Sequence, residues 1–317
     1  MLNKICVVVK QFRFAVVLCL DKTSNMHSFT IKDLENLSGI KAHTIRIWEQ
    51  RYTFLKPART GTNIRFYSNE ELKKLLNVAL LNKYGFKISH IDKMNESEIC
   101  EKILSLNQLE ALQERIVNSL IQNMVDLDME VFEQVLDDFI MAKGIEKTIS
   151  QIIFPFLEKI GILWLTNHIN PGQEHLVTNV IRQKLIAGIE SVRSTVKINK
   201  SVLLFLPETE YHELSLLFIN YMLKNKGVST IYLGCSIPIK DVEYLARLKK
   251  PDYIYTHLTT TGSKFNFDKF ITTLSKAFPK TPVIISGQLT HSYEKKILPP
   301  INFKKSYAEV MEFLSGL

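Results

Sequence analysis

The spacing of apolar residues changes twice along this chain of 317 residues. Across residues 26–95, the apolar positions mark short helices separated by turns that contain glycine or proline. Across residues 96–198 they keep a helical period over longer segments, and from residue 199 onward short apolar runs alternate with helical stretches. The pattern predicts three successive domains: a small helical module, a helical bundle and an α/β domain.

The first of these domains begins with two short helices joined by a glycine turn. Thr30 is a suitable N-cap for the first helix, which ends at Gly39, and the second helix covers about residues 41–52. Residues 56–67 then form a short hairpin, or wing, and Ser68 with the glutamate three residues later makes a capping box for the next helix. Two short helices with such a turn are typical of a helix-turn-helix, whose second helix enters the major groove of DNA.

The formal net charge of +8 is distributed unevenly over the chain. Residues 1–25 carry +3, residues 26–95 carry +6, residues 96–195 carry −7 and residues 196–317 carry +6. A basic module followed by an acidic one indicates that the first binds a polyanion and that the second does not.

Three segments of the basic module are specific enough to indicate a family. It resembles the winged-helix DNA-binding domain of MerR-family transcriptional regulators in TIRIWEQRY, LKPART and NIRFYSNEEL. Basic and hydrogen-bonding side chains on the second helix and on the wing are then expected to contact base edges and phosphates. The candidates are Lys41, His43, Thr44, Arg46, Gln50, Arg51, Tyr52, Arg59, Arg65 and Tyr67.

The first 25 residues contain apolar runs that Lys10 and Arg13 interrupt. No run approaches the ~20 residues of a membrane span or the unbroken core of a signal peptide. Because Met26 stands just before the first helix, this stretch is either an extension from an upstream start or a genuine strand or arm. The four cysteines lie far apart without a C-x-x-C pair, which argues against zinc and against a secreted disulfide framework. We therefore expect a cytoplasmic protein that has no membrane segment.

The acidic part of the chain is rich in helix-forming residues. Helices are predicted at about 107–124, 128–142, 145–165 and 172–193. Their short connections favour an antiparallel four-helix bundle. Trp164 closes the third of these helices, and Glu174 and His175 open the fourth, with the spacing W-x(9)-E-H. Taken singly, these residues also suit a core aromatic, a first-turn carboxylate and a surface histidine.

Strands and helices alternate across residues 199–317. Strands are predicted at Val202–Leu206, Thr230–Leu233, Tyr253–Thr256 and Val283–Ser286, and helices at Glu213–Lys226, Ile239–Lys249, Phe267–Phe278 and Tyr307–Leu314. This pattern is typical of a parallel, doubly wound sheet of the Rossmann-like or flavodoxin-like type, which binds ligands at the carboxyl ends of its strands. No G-x-G-x-x-G follows the first strand, which argues against NAD.

A histidine follows the first strand instead. His212 is expected at the binding edge of the sheet, and Glu210, two residues earlier, can accept a hydrogen bond from one imidazole nitrogen and thereby orient the other. A neutral imidazole held in this way is a good ligand for a transition metal such as cobalt.

The C-terminal domain resembles cobalamin-binding domains, in which the motif D/E-x-H-x-x-G follows the first strand. The chain from residue 26 onward is similar to the light-responsive, cobalamin-dependent repressors of the CarH/LitR type, which join a MerR-type domain, a helical bundle cap and a cobalamin-binding domain. The resemblance implies adenosylcobalamin as the cofactor and His212 as the lower axial ligand of its cobalt. It also implies that Trp164 and Glu174 lie near the adenosyl group, and that His175 can coordinate cobalt from above after light breaks the Co–C bond. A repressor of this type is not an enzyme, and it binds double-stranded operator DNA as a homo-oligomer, a dimer or a tetramer.

Three positions depart from the pattern of that family. Ser215 replaces the glycine of the motif, Thr256-His257-Leu258 stands where S-x-L is expected, and Gly287-Gln288 stands where Gly-Gly is expected. The added side chains narrow the slot for the dimethylbenzimidazole tail of the cofactor. The residues expected to line the cofactor are Trp164, Glu174, His175, Glu210, His212, Ser215, Thr256, Leu258 and Gly287.

Two alternatives stay open at this point. A MerR-type regulator on the same scaffold could sense another ligand or a partner protein instead of cobalamin. More remotely, the chain could be a subunit of a corrinoid enzyme, but such enzymes commonly carry a catalytic barrel of ~250 residues. Residues 26–95 are too few for that barrel and are already used by the DNA-binding motif.

Overall fold

The computed structural model describes residues 29–165, 169–259, 265–295, 297 and 299–317, without the side chains at 162, 164 and 165. The predicted N-terminal extension, residues 1–25, lies outside the described residues. The described chain forms two compact units: residues 29–106 with 162–165, and residues 107–161 with 169–317. No helix in the described part combines the length and the apolarity that crossing a membrane requires.

The first unit contains the predicted helix-turn-helix and wing. Its helices are α1 (Ile31–Ser38), α2 (Ala42–Arg51), α3 (Asn69–Lys83), α4 (Ile88–Ile91) and α5 (Glu96–Leu104), and its strands are β1 (Ala58–Arg59) and β2 (Arg65–Phe66). The two strands pair antiparallel and form the wing. Helix α5 packs on α3, so residues 96–104 group with this unit and not with the helices that follow.

Local sequence signals fix where these helices begin and end. Thr30 and Asp33 form a capping box at the start of α1, and Ser68 and Glu71 form a second at the start of α3. Gly39 ends α1 in the left-handed conformation, with a φ of 74°, which glycine adopts without strain. The predicted helix starts and the glycine stop are confirmed.

The helical region between residues 107 and 191 follows the four predicted segments. Its helices are α6 (Leu109–Asp126), α7 (Met129–Lys143), α8 (Ile145–Thr148), α9 (Phe154–Leu165) and α10 (Pro171–Ser191), with a π-helical segment at Ile149–Ile153. The third predicted helix is therefore interrupted by a π-helical turn, which holds more residues than an α turn. Pro155 is the second residue after this turn and has no backbone N–H to donate, which favours a break in the regular hydrogen-bonding pattern.

The C-terminal sheet is parallel throughout. Its strands are β3 (Ile198–Pro207), β4 (Val228–Ile237), β5 (Tyr253–His257), β6 (Val283–Ser286) and β7 (Ile301–Lys304), and the helices between and after them are α11 (Leu214–Lys226), α12 (Ile239–Lys249), α13 (Phe267–Ala277) and α14 (Tyr307–Ser315). The strand order β4-β3-β5-β6-β7 is that of flavodoxin-like folds. The order reverses between β3 and β5, so the crevice for a ligand is expected at their carboxyl ends.

Strand β7 was missed in the sequence. Only Ile301 and Phe303 are apolar in it, and lysines and a Pro-Pro pair flank it. It lies at the edge of the sheet, where one side needs no partner, and short edge strands of this kind have little hydrophobic signal.

Candidate DNA-binding surface and cofactor site

Helix α2 buries one side and presents a polar side to solvent. Ile45 and Trp48 are buried in the core of the first unit. Most of the predicted DNA-contacting residues at this helix are exposed, namely Lys41, His43, Arg46, Gln50 and Arg51. Two others, Thr44 and Tyr52, are partly exposed. The arrangement matches that of a recognition helix, whose buried side fixes its position while its outer side can enter the groove.

Glu49 of α2 ties the wing to this helix. The Arg65 Nε donates to both carboxylate oxygens of Glu49, at 2.9 and 3.0 Å. Arg59, on the other wing strand, reaches the same carboxylate at 3.5 Å and donates to Asn63 at 2.9 Å. Sequence reasoning predicted both arginines as DNA contacts but missed Glu49, because an acidic residue in a basic module gives no sign of its partners.

The predicted position of Tyr67 on the DNA-contacting surface is wrong. Its side chain is fully buried, and its backbone forms a two-way bridge with Phe29, with both N···O distances 2.8 Å. Burial, with the nearby charge of Glu49, raises the pKa of its hydroxyl to about 12. Tyr67 therefore supports the wing from inside the unit, and its side chain does not lie on the DNA-facing surface.

His212 and Glu210 form a tight pair at the carboxyl end of β3. The Glu210 carboxylate is fully buried, and one of its oxygens lies 2.6 Å from His212 Nδ1 and accepts the His212 backbone N–H at 2.9 Å. The other oxygen accepts the backbone N–H of Thr259 at 3.0 Å. A carboxylate with several donors is held in place, so it fixes the imidazole ring and directs its Nε2 away from the pair.

Glu210 and His212 each shift the pKa of the other in the direction that favours its charged form. The hydrogen bond that His212 donates to Glu210 raises the pKa of His212 against the effect of burial, and the charge of Glu174 raises it further. Burial raises the pKa of Glu210, but hydrogen bonds from the side chain and backbone of His212 and from Thr259 outweigh it, so that this pKa is lowered. Glu174, in the first turn of α10, therefore acts electrostatically on the histidine at the edge of the sheet.

The residues predicted for the upper face of the site lie at one end of α10. Asn170 caps this helix, Glu174 is partly exposed and His175 is exposed. The Trp164 side chain lies outside the described residues, so its predicted position stays a prediction.

The remaining predicted cofactor residues lie at the carboxyl ends of the strands or just beyond them. Ser215 lies partly exposed in the first turn of α11. Thr256 is fully buried at the end of β5, and its hydroxyl oxygen has no hydrogen-bond partner among the described residues. Gly287 follows β6 with a φ of 101°, and a Cβ there would lie 2.3 Å from the carbonyl oxygen of Leu258. Only glycine fits that position.

A second polar cluster links the helices to the sheet and was not predicted. Glu213, next to His212, accepts a hydrogen bond from the Tyr232 hydroxyl of β4 at 2.7 Å and pairs with Arg182 of α10 at 3.0 Å. Burial and the carboxylate raise the pKa of Tyr232 above its usual range, so that the phenol stays a donor. Such a contact depends on tertiary structure, and no sequence spacing marks it.

Two family models match separate parts of the chain. Residues 29–98 match the MerR HTH family regulatory protein model, and residues 116–187 match the B12 binding domain model. The chain joins a MerR-type DNA-binding module to a B12-binding domain. The B12 match lies within helices α6 to α10. We call these helices, which lie next to the sheet that carries His212, the helical cap.

Curated relatives share this arrangement. The chain is 26% identical over 275 residues to the HTH-type transcriptional repressor CarH of Myxococcus xanthus, covering 84% of this chain and 91% of that protein. It is 26% identical over 289 residues to the repressor CarA of the same organism, covering 90% and 95%. Both relatives are transcriptional repressors and not enzymes, in agreement with the predicted class.

A solved structure shows the same fold in the second unit. The monomethylamine corrinoid protein of Methanosarcina barkeri superposes with a TM-score of 0.50 at 14% identity, covering 65% of this chain and all of that one. The likeness supports the predicted combination of a helical cap with a parallel, Rossmann-like sheet.

Proposed function

We propose that this protein is a transcriptional repressor whose operator binding is controlled by an adenosylated B12 cofactor and, through that cofactor, by light. The observation that carries the proposal is the pair of His212 and Glu210 at the carboxyl edge of the sheet, with Glu174 of the helical cap close enough to act on the histidine. DNA binding rests on the exposed, basic side of α2 and on the wing. The repressor names of CarH and CarA support the sign of regulation.

The residues at the edge fit a corrin ring with cobalt at its centre. The His212 imidazole is partly exposed and is fixed by a buried carboxylate, as an axial nitrogen ligand requires. The buried hydroxyl of Thr256, which has no partner among the described residues, offers a hydrogen bond to a polar group of the cofactor. His212 would hold the cofactor through its cobalt, and the cofactor would supply a light-sensitive Co–C bond.

The side chains of this protein then have separate tasks. Glu210 keeps His212 oriented, and its charge increases the basicity of the imidazole. Glu174 and Trp164 are proposed to cover the adenosyl group from the cap, and His175 to coordinate cobalt after illumination. Ser215, Leu258 and Gly287 are proposed to line the lower side of the site.

The helical cap and the sheet are the two parts that the ligand would hold together. Arg182 of α10 and Glu213 of α11 already join them next to His212. Occupation of the crevice would bias the arrangement of cap and sheet, and a change in that arrangement can alter how two DNA-binding modules are presented. We propose that the protein acts as a homo-oligomer on double-stranded operator DNA in the cytoplasm, because two-fold operators pair with dimers or tetramers.

The experiment is an absorption spectrum of the full-length protein with an excess of adenosylcobalamin, in the dark and after illumination. Gel-shift binding is measured in parallel on a duplex selected from a random pool by the protein itself. We expect a coloured complex whose spectrum changes with light, together with weaker DNA binding after illumination. A colourless protein that binds DNA equally in every condition would favour the alternative regulator, which senses another ligand or a partner protein.

A further inference from the structure

One apolar side chain lies among the polar side chains on the outer side of α2. Ile47 is 45% exposed, although isoleucine is among the residue types that folded proteins most often bury completely. It follows His43 by four residues and precedes Gln50 by three, so these three side chains share one face of the helix. Ile45 and Trp48, which attach the helix to the core, lie on the other side. Ile47 therefore faces in the same direction as the predicted DNA contacts.

The exposed large apolar side chains of the DNA-binding module are concentrated on two elements. Among the described residues 29–106 they are Ile47, Ile64 and Leu104. Ile47 lies on α2 and Ile64 lies in the turn of the wing, directly before β2. Two of the three thus lie on the elements that are expected to touch DNA, and Ile47 is the one on the helix that enters the major groove.

The wing is attached to the opposite flank of α2 and leaves Ile47 open. Glu49, which binds Arg59 and Arg65 of the wing, is two residues from Ile47. Two residues correspond to about 200° around a helix axis, so the Glu49 and Ile47 side chains point in nearly opposite directions. The neighbours of Ile47 on its own flank are Thr44, three residues before it, and Arg51, four residues after it. Ile47 is therefore bordered by side chains that can bind bases or phosphates.

The major groove contains a single kind of apolar group that suits an isoleucine. Each of the four bases presents hydrogen-bonding nitrogen or oxygen atoms there, and thymine alone adds a methyl group, at C5. Isoleucine has no donor or acceptor, so against a polar base edge it would remove water without replacing its hydrogen bonds. Against the thymine methyl group it gains apolar contact, and its branched side chain has little rotational freedom to lose at χ1.

We infer that Ile47 recognises the methyl group of one thymine in each half-site of the operator. The inference rests on the proposed function, since it names a base that the recognition helix selects. Ile47 is then a specificity-determining residue. Because it carries no charge, it adds discrimination between bases without adding salt-dependent attraction to phosphates.

The test uses a duplex that the full-length protein, in the dark with an excess of adenosylcobalamin, selects from a random pool. In a set of copies, single thymidines are replaced by deoxyuridine, which pairs in the same way and lacks only the methyl group. Fluorescence anisotropy measures dissociation constants for wild type, Ile47→Ala and the milder Ile47→Val. Ile186→Ala is the matched control, because Ile186 is 42% exposed on α10 in the other unit. Circular dichroism melting verifies that each variant is folded.

We expect deoxyuridine at one position of each half-site to weaken wild-type binding about fourfold, as the loss of one buried methyl group would. Ile47→Ala should bind the thymine duplex more weakly than wild type, with Ile47→Val between them. Deoxyuridine at that position should change the affinity of Ile47→Ala by less than about 1.5-fold, because the contact is already lost. Ile186→Ala should behave as wild type, and Ile47→Ala should keep the wild-type dependence on salt.

Two results would overturn the inference and leave the proposed function standing. In the first, wild type binds every deoxyuridine duplex as tightly as the parent duplex. In the second, Ile47→Ala or a folded Ile47→Val loses the same factor as wild type at every position, so that the methyl group is recognised by another residue. If wild type selects no duplex from the pool, the proposed function fails and the inference fails with it.

Discussion

Arg65 in the wing donates its Nε to both carboxylate oxygens of Glu49 on the recognition helix. This contact joins one residue of the wing to one residue of α2, the two elements that are expected to touch DNA. Arg59 reaches the same carboxylate, so that the charge of Glu49 is shared by two arginines of the hairpin. The angle between wing and helix is thereby set before DNA is bound.

Arg46→Ala should weaken DNA binding because it removes an exposed positive charge from the outer side of α2. On a duplex of random sequence, affinity should fall several-fold, and the slope of log affinity against log salt should decrease by about one. Fluorescence anisotropy across a salt series measures both quantities. Lys240→Ala, at an exposed lysine of α12 in the other unit, should leave the slope unchanged, and an equal effect of both substitutions would argue against α2 as the contact surface.

Arg65→Lys tests whether position matters more than charge. Lysine keeps the charge but cannot reproduce the contact of a planar guanidinium with a carboxylate. We expect Arg65→Lys to lose most of the affinity that Arg65→Ala loses. Full recovery by lysine would mean that Arg65 acts only as a charge, and that its contact with Glu49 does not matter for binding.

His212→Ala and His175→Ala should separate the two sides of the cofactor site. His212→Ala removes the proposed lower ligand and leaves Glu210 buried without its histidine, so dark binding of the adenosylcorrinoid should be abolished or greatly weakened. His175→Ala should spare dark binding and alter only the spectrum after illumination. Absorption titrations in the dark and in the light provide the readout, and equal loss of dark binding in both variants would refute the separate roles.

The pH dependence of dark binding follows from the raised pKa of His212. A protonated imidazole has no lone pair for cobalt, so affinity should fall as the pH is lowered through that pKa. Glu210→Gln removes the main cause of the raised pKa, and the fall in affinity should then occur at lower pH. Dissociation constants between pH 8 and pH 5 for both proteins are the measurement. An unchanged midpoint in the variant would show that Glu210 does not control the titration of His212.

Gly287→Ala should destabilise the second unit by roughly 3 kcal/mol or more, because a left-handed φ and a clash with the Leu258 backbone add up. Gly316→Ala is a suitable control in the same unit, since its φ is ordinary and its new Cβ would make only normal contacts. That control should change the free energy of unfolding by less than about 0.5 kcal/mol. Urea unfolding followed by circular dichroism distinguishes the two variants, and similar stabilities would show that β5 and β6 are less tightly joined than the structure indicates.

Local signals made most of the fold predictable. Capping boxes at Thr30 and Ser68, the glycine at the end of α1 and the alternation of apolar runs after residue 199 each depend on residues close in sequence. Helix α12 was predicted with its observed bounds, Ile239–Lys249, because both a proline N-cap and a strong apolar spacing mark it. Strand β7 has neither a long apolar run nor a clear boundary, and it was missed.

The site was predictable only where its motif is local. His212 and Glu210 are two residues apart, so their contact could be anticipated from spacing. The Arg182–Glu213 pair joins elements that are far apart in the chain, and a single sequence does not show which elements meet. The place of Tyr67 in the wing motif predicts a DNA contact, whereas its side chain is buried inside the unit.

The π-helical segment at Ile149–Ile153 contains one residue more than a regular helix would need for the same rotation. Because a π turn holds about one residue more than an α turn, the helix that follows keeps the phase it would have without the extra residue. Removing one residue inside this segment would therefore restore a regular helix and leave Phe156 and Ile160 buried. Removing one residue from the regular part of α9 would instead turn every later position of the helix by about 100° about its axis. The π turn is therefore a point at which this helix tolerates a change in length without changing which side chains face the core.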